Sequence, residues 1–186
     1  MVVAKALSRI VPVVAVLALA ACNGPTVSQQ SSRTQPIAGL YSYGAGDRDL
    51  PLVVRGNPFA EPQATLDQAV ERGVANGGIL QPPTHPRLSP RDARPGYQLV
   101  MVFQGAPTVD GAQACAGAPG GLGQAGGPMV VVAAFCVSGR AVSEATGRVV
   151  AGSAEEPRFT ALMRALASEV FRPDEFSGGD AGATSR

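Results

Sequence analysis

Tyr97-Gln98-Leu99-Val100-Met101-Val102-Phe103 is the stretch that decides the fold. Successive side chains of an extended chain point to opposite faces. Tyr97, Leu99, Met101 and Phe103 therefore share one face, and Val100 and Val102 share the other. Both faces are apolar, so this strand lies inside its sheet with cover on either side. Met129 to Val137 is a second continuous apolar run and predicts a buried strand beside it. Ser138-Gly139-Arg140 reads as a turn into Ala141 to Ala145, and Thr146-Gly147 as another turn into Arg148 to Ala151. These segments predict an antiparallel meander.

Upstream, Leu52-Val53-Val54-Arg55 predicts a strand ended by the turn formers Gly56-Asn57-Pro58, and Ile37 to Tyr43 a shorter one. Two helices complete the pattern. Leu66, Ala69, Val70, Gly73 and Val74 fall on one helical stripe, with Pro62 at its start and Asn76-Gly77 at its end. Phe159, Leu162, Met163, Leu166 and Val170 form a second stripe. Ser153 and Glu156 have the spacing of a capping box, Pro157 suits the first turn, and Pro173 closes the helix. Strand runs with helices at two points predict an α+β fold. The expected form is an antiparallel-rich sheet of about four to five strands with two helices packed on one face.

Residues 1–21 read differently. Lys5 and Arg9 form a basic start, Ile10 to Leu19 is an apolar core broken only by Pro12, and Ala20-Ala21 are small. That tripartite order describes a secretory signal peptide. Its apolar core is shorter than the ~20 residues that span a bilayer. Leu19-Ala20-Ala21-Cys22 resembles the lipobox of bacterial lipoproteins. The resemblance covers these first 22 residues. It implies cleavage before Cys22, diacylglycerol on the Cys22 thiol, and an acylated new N-terminus. Each buried methylene contributes ~0.8 kcal/mol, and several chains on one cysteine give stable anchoring. In that family an Asp after the lipidated cysteine retains the protein at the inner membrane. Asn23 stands here, so the resemblance implies the periplasmic side of the outer membrane rather than the inner one.

Polar residues 22–35 then predict a tether, residues 36–173 a single α+β domain, and residues 174–186, rich in Gly, Ser, Ala and Asp, a disordered tail. Removing Lys5 and Arg9 from the 15 basic residues leaves 13 against 14 acids, a net charge of −1. That balance offers no footprint for nucleic acid. With Cys22 acylated, Cys115 and Cys136 remain as an even pair in an oxidising compartment, which predicts a disulfide. Closing a loop of about 20 residues contributes roughly 3 kcal/mol on chain-entropy grounds. The bridge would tie the long Gly105–Pro128 loop, which holds eight glycines, to the sheet.

Tests for chemistry return little. A single His and no close carboxylate cluster do not make a metal site, and no cofactor is expected. Gly117 to Gly127 lacks Gly-Lys-Ser/Thr, so it is no P-loop, and Gly-x-Ser-x-Gly is absent. Glu155-Glu156 suits a helix N-terminus. The Pro-rich connector Gln81–Pro95 carries His85, Arg87, Arg91 and Arg94, and its three arginines form a candidate contact surface. By element order, the domain is similar to small envelope lipoproteins of unknown function. The expectation is a non-enzymatic binding or assembly module. It would be held to the membrane by acyl chains on Cys22 and would act on an unidentified envelope protein or polymer. Two alternatives stay open: an envelope hydrolase using Asp47, Asp49 or His85, and an auxiliary subunit of a transport or secretion complex.

Overall fold

Leu99, Val100, Met101, Val102 and Phe103 are all buried, as a strand covered on both sides requires. The computed structural model describes residues 24–29, 36–77, 86–104, 107, 109–123 and 127–172. Its elements in chain order are β1 (Thr26–Gln29), α1 (Ile37–Ala45), β2 (Leu50–Arg55), α2 (Gln63–Ala75), β3 (Pro86–Arg87), β4 (Tyr97–Phe103), α3 (Gly111–Cys115), β5 (Pro128–Val137), β6 (Arg140–Val150) and α4 (Pro157–Val170). The fold is α+β, with one six-stranded mixed sheet in the order β1-β6-β5-β4-β2-β3. The strands from β4 through β5 and β6 to β1 pair antiparallel. β2 runs parallel to both β4 and β3.

β5 and β6 form a hairpin, with Val137 opposite Arg140. Ser138 and Gly139 between them both have positive φ, 51° and 77°. Two such residues make the turn whose twist matches paired strands. The Ser138 N–H also donates to the Gly96 carbonyl at 2.8 Å, joining this turn to the start of β4.

Several expectations need correction. Ile37–Tyr43 is helical, not extended. It belongs to α1, which buries Ile37, Tyr41, Gly44 and Ala45 at helical spacing. Thr146-Gly147 is no turn, since β6 runs through it unbroken from Arg140 to Val150. The glycine serves packing: a Cβ at Gly147 would lie 2.6 Å from Leu162 Cδ1, so α4 crosses the strand there. The helix start is Glu156, with Pro157 after it, rather than Ser153. Glu156 Oε1 accepts from the Gly152 N–H at 2.7 Å instead of closing a capping box. Residues 22–35 are not tether throughout, because Thr26–Gln29 adds β1 to the outer side of β6. Finally, the helices occupy both faces. α1, α2 and α4 pack on one with Leu99, Met101, Phe103 and Phe135. α3 packs on the other with Val100, Val102 and Ala134. The expected stripes of α2 and α4 are buried residue for residue.

Among the described residues, no helix is long and apolar enough to cross a membrane. Cys22, His85 and the tail 174–186 lie outside the described residues.

Candidate functional site

The amphipathic pattern of α2 fixes the first wall of a polar cleft. Leu66, Ala69 and Val70 turn inward, so Gln68 and Glu71, three residues apart, stand together on the outer side. The second wall is β3 and the segment after it, which supply Arg87, Leu88, Ser89 and Arg91. Asp49, immediately before β2, also lines it. The open cleft has a volume of about 570 Å³.

Hydrogen bonds stitch this arrangement to the start of β2. Asp49 Oδ2 accepts from the Arg91 N–H at 2.8 Å. The Asp49 N–H donates to the Asp92 carbonyl at 2.9 Å. Arg48 Nη1 donates to Asp92 Oδ1 at 2.9 Å. Repeated prolines keep the connector out of helix or central strand, yet leave Pro86–Arg87 free to pair at a sheet edge. Glu71 Oε1 lies 3.6 Å from Arg87 Nη1. An ion pair this exposed is weak. Arg91 makes no ion pair among the described residues, and its side chain is exposed.

The structure sorts the candidates. Asp49, Arg87 and Arg91 meet in the cleft. Asp47 does not line it, and sits 3.7 Å from Arg48 Nε. Arg94 also leaves the group, because its guanidinium lies 3.8 Å above the Tyr43 ring. The expected rim of three arginines is therefore a pair, since stacking on an aromatic face gives Arg94 another partner. Gln68, Glu71 and Ser89 escaped the sequence reading. Gln68 and Glu71 could have been suggested only by their place opposite the buried stripe of α2, and Ser89 by no local pattern.

Chemically, the cleft is polar, lined mostly by charged and hydrogen-bonding side chains. Asp49 holds the Arg91 backbone, Glu71 lies beside the Arg87 guanidinium, and both arginines are exposed. Among the described residues, no His, Cys or Lys lines it. Among the described residues, no group of three or more His, Cys, Asp or Glu could hold a metal.

A second polar arrangement sits on the opposite face and is structural. α3 spans the sheet between two charges on β6 and β2. Glu144 accepts from the Gly111 N–H at the helix start, and Arg55 Nη1 donates to the Ala114 carbonyl at 2.7 Å near its end. Asp110 adds an N-cap on the Gln113 N–H at 2.8 Å. Acid at the start and base at the end match the helix dipole. Cys115, the last residue of α3, is disulfide-bonded to Cys136 of β5. Elsewhere, burial pushes the Tyr41 phenol above its ordinary pKa.

No family model and no curated protein sequence matches the chain. Two solved structures are similar to it, both PelC dodecamers from Paraburkholderia phytofirmans. A point variant of PelC is 19% identical, over 78% of this chain and 93% of that one, with a TM-score of 0.36. The other PelC structure is 18% identical, over 78% and 94%, with a TM-score of 0.37.

Proposed function

We propose that this protein is a lipid-anchored envelope lipoprotein whose α+β domain is a non-enzymatic binding module. Its contact surface is the cleft between α2 and β3. The leader and the Leu19-Ala20-Ala21-Cys22 pattern support the anchor and a periplasm-facing position, with the outer membrane preferred on the residue Asn23. One observation carries the binding role: Asp49 is committed to the Arg91 backbone, while the side chains of Arg87 and Arg91 are exposed at the cleft. A carboxylate that holds its own loop is a poor general acid or base, since proton transfer would weaken the loop's attachment. The arginines suit a partner presenting carboxylates, phosphates or hydroxyls.

Affinity capture from gently solubilised envelopes tests this. Wild type should retain one stoichiometric protein or polymer, and Arg87→Ala with Arg91→Ala should lose it while staying in the membrane fraction. Equal capture by both forms would remove the cleft from the reading. Turnover of envelope material that Asp49→Asn abolishes would support the hydrolase instead. Cys22→Ala should release the protein from membranes or leave it unprocessed. Unchanged membrane recovery of a processed form would overturn the anchor.

A further inference from the structure

Gly120-Gly121-Leu122-Gly123 holds a large apolar side chain in water on a backbone with little freedom to move. The Asn57 N–H donates to the Gly121 carbonyl at 3.0 Å, the Gly121 N–H to the Phe103 carbonyl at 2.9 Å, and the Gly123 N–H to the Asn57 carbonyl at 3.1 Å. The glycines are required by close approach. A Cβ would lie 2.3 Å from the Arg55 carbonyl oxygen at Gly120 and 2.3 Å from that of Gln104 at Gly121. Leu122 is thus the single side chain of this tetrapeptide, and it is 87% exposed. One exposed leucine is ordinary. Its place in the fold gives it meaning.

The register locates it. Thr26 lies opposite Arg148, so β1 enters at the end of the sheet where β6 finishes. β5 begins there, with Pro128 opposite Val150. β4 ends there at Phe103, opposite Val131. β2 ends there too, with Arg55 opposite Val102. Leu122 bridges to Asn57 just beyond β2, on the same end. Val150, another exposed apolar side chain, ends β6 there. At about 4.8 Å per strand, β2 stands about 19 Å across that end from β1. The Asp49 cleft lies at the other end, where β2 begins.

Covalent geometry adds a length. Thr26 is four residues after Cys22, so the two are at most about 14 Å apart. If Cys22 carries lipid, the domain has almost no slack.

We infer that this end of the sheet rests on the bilayer surface, with Leu122 entering the headgroup boundary as a second contact and the arginine cleft turned away from the membrane. This rests on the lipid anchor at Cys22 proposed above. Lipid is the occupant because the chain that reaches it leaves the fold at the same end.

The protein has no Trp, so one substitution makes a reporter. Leu122→Trp and Val150→Trp report on the anchor end. Tyr43→Trp reports on the opposite end, where Tyr43 stands beside Tyr97 at the start of β4. Each full-length variant, processed and purified from membranes, is reconstituted into phosphatidylcholine vesicles with brominated acyl chains. Flotation reads anchoring, and quenching with a blue-shifted emission reads orientation. Quenching at 122 or 150 that exceeds quenching at 43 is expected. Equal or stronger quenching at 43 in floating protein overturns the orientation and leaves the anchor standing. Protein that fails to float overturns the anchor. Coupling its Cys22 thiol to a maleimide lipid then repeats the orientation test with the same two deciding outcomes.

Discussion

The two faces of the sheet are built on different physical economies. The face under α1, α2 and α4 is held by area. Phe59, Phe103 and Phe159 pack with ring centroids 5.4 and 6.0 Å apart, and Tyr41, Phe135 and Phe171 form a second aromatic group. The face under α3 has Val100, Val102, Val132 and Ala134 and a five-residue helix. A helix that short has no stability of its own. It is held by a covalent bond at Cys115, by Arg55 near its end and by Glu144 at its start. Where apolar area runs out, a disulfide and directed charges take over.

The largest effect that would break this comparison is a cavity on the area-built face. Phe159 is fully buried between Phe59 and Phe103. Phe159→Ala should lower global stability by about 3–5 kcal/mol, read as a shift in the urea midpoint with unchanged slope. A loss under ~1 kcal/mol would mean that this face is not the main core. Next comes the bridge. Reduction, or Cys115→Ala with Cys136→Ala, should cost roughly 3 kcal/mol. Its pattern matters more than its size. Amide exchange should rise first at 111–115, while β4 and the helices of the larger face keep their protection. Uniform acceleration would show that the faces unfold as one unit and would dissolve the distinction.

These faces also differ in how visible they are in the sequence. The larger one is legible because its helices need stripes, and the stripes of α2 and α4 recur at helical spacing. α1 was hidden because Ile37, Leu40, Tyr41 and Tyr43 satisfy both a short strand and a short helix. Gly147 misled in the other direction. Glycine after threonine resembles a turn, and only the approach of Leu162 and Leu166 from α4 explains it inside a strand. The smaller face was nearly invisible. Gly111-Ala112-Gln113-Ala114-Cys115 has no apolar period, and Asp110 three residues before Gln113 was its one local signal. β1 is polar because it is an edge strand with mostly exposed side chains, so composition made it look like a tether. Of the candidate site, Asp49, Arg87 and Arg91 were individually visible as charges in unusual surroundings. Their meeting depends on the parallel pairing of β3 with β2, which no local pattern encodes.

The smallest effect offers the sharpest separation, because alkali should act on one face and reductant on the other. Tyr41 is 4% exposed and sits in the aromatic group of the larger face. Burial raises its pKa above the ordinary phenol value. In the unfolded chain the phenol ionises near its ordinary value of about 10, while the folded protein holds the proton to higher pH. Between those two values the unfolded state binds fewer protons, so stability falls as pH rises. Its contribution is therefore complete below about pH 10 and is lost as pH climbs through the raised value. Lysine hardly obscures the measurement, since Lys5 is the only one. Denaturant midpoints taken from neutral pH to about pH 11 should decline above pH 10, and Tyr41→Phe should flatten that decline while lowering stability at neutral pH. The same variant should leave the exchange of 111–115 unchanged under reduction, because Tyr41 and α3 lie on opposite faces of the sheet. A decline that persists in Tyr41→Phe would show that the Tyr41 phenol is not its source and would remove this handle from the larger face.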